Sequence, residues 1–302
     1  MQSYDRKTPI AFVGLGVMGA GMARRLLDAG YALTVCDLSE EHTRAFAALG
    51  ATVAASPSEA VAKSRILFLS LPETTHVESV LFGTDGAVGA LAPGSCVFDT
   101  STISATAVRE FARRLKESGI EMLDAPVSGG KDAAAKGTLT CMVGGPKDVF
   151  EACREIASFI ATRYLHMGEH GAGQIAKCCN QVAVANAMMG VVEALTLARK
   201  QGVDPALVRE ALLGGAAKSF SLEKHGQRII DHDFVPGFSV KLMRKDLNLA
   251  TQAGHDRGAV MLGAHVALQL LETLYAQGEG DRDWSVLGAL VERLSGIDDN
   301  KS

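Results

Sequence analysis

The chain has 302 residues, of which 47% are hydrophobic and 21% are charged, a composition typical of a globular protein. This length is enough for one large domain or for two smaller ones, each with its own core. The formal net charge of −4 gives no electrostatic reason to expect nucleic acid or an anionic membrane as a partner.

The cysteines and the first residues indicate the compartment. None of the six cysteines forms a CxxC pair or a Cys/His cluster at zinc spacing, so we expect reduced thiols and no metal. Residues 1–9 are polar and carry no signal-peptide core, and Lys, Asn, Glu or Gly interrupts the longest apolar stretches before they reach membrane-spanning length. We therefore predict a cytoplasmic protein.

The first elements form a β-turn-α-β unit. An apolar strand at 10–13 ends in Gly14-Leu-Gly-Val-Met-Gly19, a helical pattern follows, and a second strand at 32–35 leads to Asp37. The first glycine permits a tight turn, the second lets a pyrophosphate approach the backbone, and the third lets the helix pack close to the sheet. Glycines cluster in many turns, but in this context the pattern predicts a dinucleotide site.

Asp37 bears on the choice of dinucleotide. Its carboxylate is expected to accept hydrogen bonds from a ribose 2′-hydroxyl and to repel a 2′-phosphate. The next residues supply no arginine, and Arg44 lies at least a helical turn away. NAD is therefore favoured over NADP, although an aspartate that is merely exposed at a strand end would leave the choice open.

Strands and helices continue to alternate as far as Gly168, which predicts a parallel sheet with helices on both faces. Further strands are predicted at 66–69, 97–98, 122–124, 139–143 and 164–168, and helices at 59–63, 74–81, 106–118 and 148–160. From about Gly171 onward only helical patterns remain, with breaks at 203–205, 214–215 and 235–237. We predict an α/β domain at 1–168 and an all-α domain at 169–302, joined by a long helix, and ligand sites favour such junctions.

Polar turns follow three of the predicted strands. They are 70–72 (Ser-Leu-Pro), 99–102 (Asp-Thr-Ser-Thr) and 124–130 (Asp-Ala-Pro-Val-Ser-Gly-Gly). The carboxyl ends of parallel strands line the ligand crevice of an open sheet, and a Ser-Gly-Gly turn can present a hydroxyl and N–H groups to a carboxylate. Taken alone, each turn is better explained as an ordinary loop.

Lys177 is the most informative residue, because it lies in an otherwise apolar helical stretch. At 3.6 residues per turn it shares one face with Asn180, Gln181 and Val184. A lysine and two amides on an apolar helix are costly unless that face lines a wet cleft, and a desolvated lysine is a good proton donor to a carbonyl oxygen. The alternative is a surface lysine on an amphipathic helix. Lys245-Asp246, further on, would by itself be taken for a solvated face.

Together these segments resemble the β-hydroxyacid dehydrogenases, which include 3-hydroxyisobutyrate dehydrogenase and tartronate semialdehyde (2-hydroxy-3-oxopropionate) reductase. The matching segments are 13–19, 99–102, 124–130, 171–181 and 245–246, in the family's order. The resemblance implies a Rossmann dinucleotide-binding domain and a helical domain that helps to form a homodimer or homotetramer.

The resemblance also implies roles for individual residues. Lys177 would be catalytic with Asn180 beside it, and Ser128, Gly129, Gly130 and Gln181 would bind a small carboxylate substrate. Cofactor contacts are implied at Gly14, Leu15, Gly16, Val17, Met18, Gly19, Asp37, Leu71, Pro72, His76, Thr102 and Lys245. The Asn180-Gln181 pair resembles the tartronate semialdehyde reductases, where many relatives have two asparagines.

We therefore predict an NAD-dependent oxidoreductase that interconverts a β-hydroxy acid and its semialdehyde, with 2-hydroxy-3-oxopropionate as the favoured substrate. The alternative substrates are 3-hydroxyisobutyrate and other β-hydroxy acids. An imine reductase and a 6-phosphogluconate type of dehydrogenase are rivals on the same fold, and the latter would need a basic cluster for the substrate phosphate. A non-catalytic dinucleotide-binding scaffold is a rival of another class, made less attractive by Lys177.

Overall fold

The computed structural model describes residues 4–297 and divides the chain into two compact units, with the division after Lys177. The two predicted domains meet earlier, between 168 and 169, and their outer ends at 1–3 and 298–302 lie outside the described residues. The predicted domain boundary stays a prediction. Below, unit 1 is the part up to Lys177, and unit 2 is the part from Cys178 onward.

Unit 1 is built on a sheet whose strand order is β3-β2-β1-β4-β5-β6-β8-β7. The last strand, β9, also pairs with β8. Its strands are β1 (Ile10–Val13), β2 (Leu33–Cys36), β3 (Thr52–Val53), β4 (Ile66–Leu69), β5 (Cys96–Asp99), β6 (Glu121–Asp124), β7 (Val127–Ser128), β8 (Leu139–Gly144) and β9 (Ala161–Gly168). Pairing from β3 to β6 is parallel throughout, so the carboxyl ends of these strands lie at one edge.

Helices cover both faces of this sheet. They are α1 (Val17–Asp28), α2 (Glu40–Ala48), α3 (Pro57–Val61), α4 (Thr74–Phe82), α5 (Ala105–Glu117), α6 (Gly130–Lys136), α7 (Lys147–Ala152) and α8 (Arg154–Ala157). Successive residues of β1 belong to different apolar clusters. Ile10 and Phe12 belong to one cluster, and Ala11 and Val13 belong to the other. This two-sided burial explains why the strands are continuous apolar runs, and it confirms the predicted α/β architecture.

The local structure differs from the predictions at several points, and helices α2 and α6 were not among the predicted ones. The sheet is mixed, because β8 runs antiparallel to β6 and β7. The single helix predicted at 148–160 is two short helices that meet at Cys153. The chain turns there because β9 already begins at Ala161 and must return to pair with β8. The short strands β3 and β7 were not predicted, since two residues give no periodicity.

Unit 2 is helical, as predicted. Its helices are α9 (Ala172–Lys200), which begins in unit 1, α10 (Pro205–Leu213), α11 (Phe220–Lys224), α12 (Gly226–Ile230), α13 (Val240–His255), α14 (Leu262–Ala276) and α15 (Leu287–Leu294). They pack around an apolar cluster that contains Trp284, which is 2% exposed. Contrary to the expectation from the sequence, α9 is long and apolar enough to cross a membrane, but the core helix of a soluble protein passes the same test, and 44% of its apolar window is buried.

Candidate active site

The three glycines of the first turn are needed for three separate reasons. Gly14 has φ +96°, and a Cβ there would collide with the carbonyl oxygen of Ser70. A Cβ on Gly19 would collide with the carbonyl oxygen of Gly14, so this glycine lets α1 start directly against the strand. A Cβ on Gly16 would meet nothing within 4 Å. Its missing side chain therefore leaves room in front of the loop for a ligand.

The amino end of α1 suits an anion. Gly16 is the N-cap residue, so no side chain caps the first turn, and that turn contains no acidic residue. The first N–H groups of a helix carry partial positive charge and favour phosphate. Together with the open space at Gly16, this end of the helix fits the pyrophosphate of a dinucleotide.

Asp37 is tied to the glycine turn. Its Oδ2 accepts a hydrogen bond from the Leu15 N–H at 2.5 Å, and its Oδ1 accepts one from the Ser39 N–H at 2.8 Å. The His42 ring lies beside it, with Nδ1 3.3 Å from Oδ1. The sequence interpretation missed His42, although its position in the first turn of the helix after Asp37 was a usable signal. The side chain of Asp37 is 14% exposed, which leaves it accessible to a ribose hydroxyl.

The ends of β4 and β5 hold each other through hydroxyl groups. The Leu71 N–H donates to Ser101 Oγ at 2.9 Å, and Thr100 Oγ1 donates to the Leu69 carbonyl at 2.6 Å. Leu71 and Thr102 are half-buried, while Pro72 and His76 are exposed. The predicted cofactor contacts in these two turns are thus neighbours at one edge of the sheet, next to the glycine turn on β1.

The predicted carboxylate-binding residues lie where β7 meets α6. Ser128 ends the strand and is half-buried, and the two following glycines are exposed. Gly129 has φ +138° and Gly130 has φ +73°, conformations that side chains rarely adopt. The two glycines therefore make the sharp change of direction that leaves Ser128 at the end of the strand.

Lys177 lies within unit 1 on the second turn of α9 and is 8% exposed. Its Nζ donates a hydrogen bond to the carbonyl oxygen of Val127 at 3.0 Å. Val127 is the neighbour of Ser128, so unit 1 brings the predicted proton donor and the predicted carboxylate-binding hydroxyl together. The alternative of a lysine on an exposed surface does not hold.

Asp124 holds the amino end of α9 in place. Its two carboxylate oxygens accept hydrogen bonds from the N–H groups of Gly171 (2.8 Å) and Gln174 (3.0 Å). Burial raises the pKa of Asp124 to about 6, against the opposing effect of these N–H donors. A Cβ on Gly173 would come within 2.5 Å of the carbonyl oxygens of Asp124 and Met142, so only glycine lets the helix approach this closely. The capping role of Asp124 has no local sequence signal.

The remaining predicted residues belong to unit 2 and form a polar chain. Asn180 Nδ2 donates to Gln181 Oε1 at 2.8 Å, and Gln181 Nε2 donates to Asp246 Oδ2 at 2.6 Å. Lys245 Nζ lies 2.8 Å from the other oxygen, Asp246 Oδ1. Asp246 is 3% exposed and Gln181 4%, so Lys245-Asp246 is not the solvated pair that its sequence alone would favour. Among residues 4–297 there is no group of three or more His, Cys, Asp or Glu side chains suited to a metal ion.

Two family models match the chain. Residues 9–168 match the NAD binding domain of 6-phosphogluconate dehydrogenase, and residues 171–291 match the NAD-binding domain of NADP-dependent 3-hydroxyisobutyrate dehydrogenase. The predicted nicotinamide dinucleotide cofactor is thereby confirmed, and the glycine turn, the end of α1 and Asp37 are the residues that fit it.

Curated proteins and solved structures resemble the chain over nearly its whole length. It is 38% identical over 286 residues to 2-hydroxy-3-oxopropionate reductase of Escherichia coli strain K12, covering 95% of this chain and 98% of that protein. It is 37% identical to the NAD-dependent L-serine dehydrogenase of Pseudomonas aeruginosa, covering 95% and 99%. The structure of Mycobacterium tuberculosis 3-hydroxyisobutyrate dehydrogenase with L-serine has a TM-score of 0.85 at 33% identity, covering 94% and 99%.

Proposed function

The chain belongs to the β-hydroxyacid dehydrogenase family of nicotinamide-dependent oxidoreductases, and from that premise we propose that it reduces 2-hydroxy-3-oxopropionate (tartronate semialdehyde) with NADH. The same reaction runs in reverse on the β-hydroxy acid. The observation that carries the proposal is the placement of Lys177, buried and hydrogen-bonded to Val127 beside Ser128. The substrate preference follows the Asn180-Gln181 pair and the similarity to the Escherichia coli reductase.

Lys177 is the proton donor in this proposal. A reduced nicotinamide, when bound, would supply the hydride to the aldehyde carbon. As an ammonium, Lys177 gives a proton to the carbonyl oxygen, which becomes the hydroxyl of the product, and it regains a proton from water. The hydrogen bond to the Val127 carbonyl orients Nζ, and a fixed orientation lowers the entropic cost of reaching the transition state.

The other residues bind and orient. Ser128 with the N–H groups of Gly129 and Gly130 holds the substrate carboxylate, because a hydroxyl and consecutive N–H groups suit an anion. Asn180 lies three residues after Lys177, a spacing that puts both on one face of the helix, and orients the lysine or the substrate hydroxyl. Gln181 acts on the substrate side, although in this structure its amide donates to Asp246.

The cofactor is held along the glycine turn and by Asp37. Gly14, Leu15, Gly16, Val17, Met18 and Gly19 would hold the pyrophosphate, and Leu71, Pro72, His76, Thr102 and Lys245 would hold the nicotinamide half. NAD is preferred to NADP because the Asp37 carboxylate suits a ribose 2′-hydroxyl and would repel a 2′-phosphate.

Three further assignments complete the proposal. The dinucleotide-binding domain comprises residues 1–168 and the helical substrate domain residues 169–302. The enzyme works as a homodimer or homotetramer. It acts in the cytoplasm on a small carboxylate, without nucleic acid or membrane.

The test is a panel of substrates followed at 340 nm. NADH and NADPH are paired with tartronate, succinate and methylmalonate semialdehydes, and NAD and NADP with 3-hydroxyisobutyrate, L-serine and glycerate. The proposal requires the highest kcat/KM for tartronate semialdehyde with NADH. L-Serine is the sharpest competitor, because the identity to the L-serine dehydrogenase differs from that to the reductase by one percentage point, 37% against 38%.

The other outcomes separate the alternatives. Turnover only with 3-hydroxyisobutyrate or L-serine would keep the mechanism and replace the substrate. Binding of NADH, seen by its fluorescence, with no turnover on any of these compounds would overturn the proposal in favour of an imine substrate or a dinucleotide-binding scaffold. Lack of NADH binding would refute the cofactor assignment itself.

A further inference from the structure

Gln174 is a fully buried amide side chain, 0% exposed, on the first turn of α9. Its Oε1 accepts a hydrogen bond from the N–H of Ile103 at 3.1 Å, and its Nε2 donates one to the carbonyl oxygen of Ser101 at 2.8 Å. One side chain thus binds the main chain on both sides of Thr102, which the proposed function places on the nicotinamide.

The segment that Gln174 binds is part of a longer network. Ser101 Oγ accepts a hydrogen bond from the N–H of Leu71, the other turn assigned to the nicotinamide half. The Ser101 N–H donates to Asp99 Oδ1 at 2.9 Å. The turns after β4 and β5 are therefore fixed to each other, and Gln174 fixes both of them to α9.

The other end of this network reaches the proton donor. The main-chain N–H of Gln174 donates to Asp124, so the turn that carries the amide is anchored to the sheet. Lys177 follows three residues later on the same helix, with its Nζ on the Val127 carbonyl. Rotation or translation of this first turn would move the lysine and the Thr102 segment relative to each other.

We infer that Gln174 is a positioning residue, which sets the distance between the nicotinamide-binding turns and Lys177 and so keeps hydride and proton transfer aligned. This inference rests on the proposed function. Misplacement of reacting groups by about 1 Å can lower a rate about a hundredfold without loss of binding. The role differs from simple core stability, because every partner of the side chain lies in the segment around Thr102.

The test uses Gln174→Met, which keeps the size and removes both hydrogen bonds. The hydride-transfer rate is measured in a single turnover at 340 nm and is expected to fall about ten- to a hundredfold. The dissociation constant of NADH, from its fluorescence, is expected to stay within about threefold, since the glycine turn and Asp37 are untouched. Amide hydrogen exchange at Ile103 is expected to accelerate, because its acceptor is gone.

Gln174→Asn is the second variant, for the case that Gln174→Met does not fold. It keeps a buried amide, but it is one methylene too short to bind both main-chain groups, and the same slowing of hydride transfer is expected. Ser64→Ala is the matched control. It removes a buried side-chain hydrogen bond, from Ser64 Oγ to the Ala60 carbonyl, near the amino end of β4 and thus away from the carboxyl ends of the strands.

The outcomes separate this inference from the proposed function. A parent enzyme without turnover would refute the proposed function. With an active parent, hydride transfer within threefold in both variants would refute the positioning role alone. Unchanged exchange at Ile103 in Gln174→Met would also refute it, because the contact would then not exist in solution. Equal slowing in Ser64→Ala would assign the effect to general destabilisation.

Discussion

Unit 1 and unit 2 each hold a lysine of the proposed site, and they hold it by different means. Lys177 is 8% exposed and donates to a main-chain carbonyl, and the residues around it are also tied to main-chain groups. The side chain of Lys245 is 19% exposed and pairs with the Asp246 carboxylate, whose other oxygen accepts from the Gln181 amide. The first arrangement depends on the path of the backbone, and the second on the presence of each partner side chain.

This difference separates catalytic from stability effects. A main-chain carbonyl stays in place when the lysine is replaced, so the loss in unit 1 should be mainly chemical. Replacing the buried Asp246 removes the carboxylate that Lys245 and Gln181 both contact, so the loss in unit 2 should be mainly in stability. Lys177→Ala and Asp246→Ala test this contrast, each with a control, and Asp124→Asn and Asp37→Ala test two further side chains of unit 1.

The largest effect is expected for Lys177→Ala. It removes the proton donor, which is typically worth about a hundred- to ten-thousandfold in rate, so kcat should fall by that factor. The dissociation constant of NADH should change little. Both are measured on tartronate semialdehyde and by fluorescence titration.

Lys200→Ala is the matched control on the same helix. Its Nζ also donates to a main-chain carbonyl, that of Ser295 at 2.9 Å, but it is not part of the proposed site. Turnover of Lys177→Ala within tenfold of the parent would contradict the catalytic assignment.

Asp246→Ala should mainly lower stability. Breaking a buried ion pair by removing one partner costs about 3 kcal/mol, and here the Gln181 amide loses its acceptor as well. Urea unfolding followed by Trp284 fluorescence reports on unit 2, since this is the only tryptophan and it is buried in that core.

The control for this change is Asp281→Ala. Asp281 pairs with Lys241 at 2.6 Å, but both side chains are exposed (86% and 54%), so the free energy of unfolding should change by less than about 1 kcal/mol. Equal effects of the two substitutions would remove the distinction between a buried and a solvated pair.

Asp124 makes the anchor of α9 sensitive to pH. Its pKa is raised by burial to about 6 in the folded protein, above the value of about 3.9 in an unfolded chain. The folded state therefore holds the proton more tightly, and the contribution of Asp124 to stability is largest below about pH 4 and is lost as the pH rises through 6. The difference corresponds to about 3 kcal/mol.

Asp124→Asn checks this sign. The variant loses a hydrogen bond at every pH, but the free energy of unfolding should no longer contain the fall between pH 4 and 7. Parent and variant are compared by urea unfolding at both pH values. If the parent instead gains stability relative to the variant as the pH rises, the N–H donors of α9 outweigh burial, and the direction of the pKa change is wrong.

The smallest effect is expected for Asp37→Ala, which probes a side chain tied to main-chain groups. Loss of a charged hydrogen-bond acceptor for the ribose should lower the ratio of kcat/KM for NADH to that for NADPH by at least about tenfold. Glu41→Ala removes the same charge from the exposed first turn of α2 and serves as the control. An unchanged ratio in Asp37→Ala would refute the argument for NAD.

Most of the fold could be predicted from sequence because its signals are local. The strands at 10–13 and 66–69 were placed to the residue, since an apolar run bounded by a turn is recorded in adjacent residues. The helix at 148–160 was predicted as continuous because its periodicity does not show where β9 must return to the sheet. Two-residue strands such as β7 exist only through their partner, and no local pattern indicates them.

The sequence by itself determined the family, the nicotinamide cofactor and the order of the candidate residues, because glycines, strand ends and a lysine on an apolar helix are features of neighbouring residues. The tertiary structure alone decided what each side chain contacts: Lys177 with the Val127 carbonyl, Asp124 with the start of α9, and Gln174 with the turn around Thr102. These partners are 47 to 73 residues apart in the chain, and such contacts are fixed by packing. Burial also decided that Asp246 is an internal acceptor, since a lysine-aspartate pair on a helix has the same sequence whether it faces water or the core.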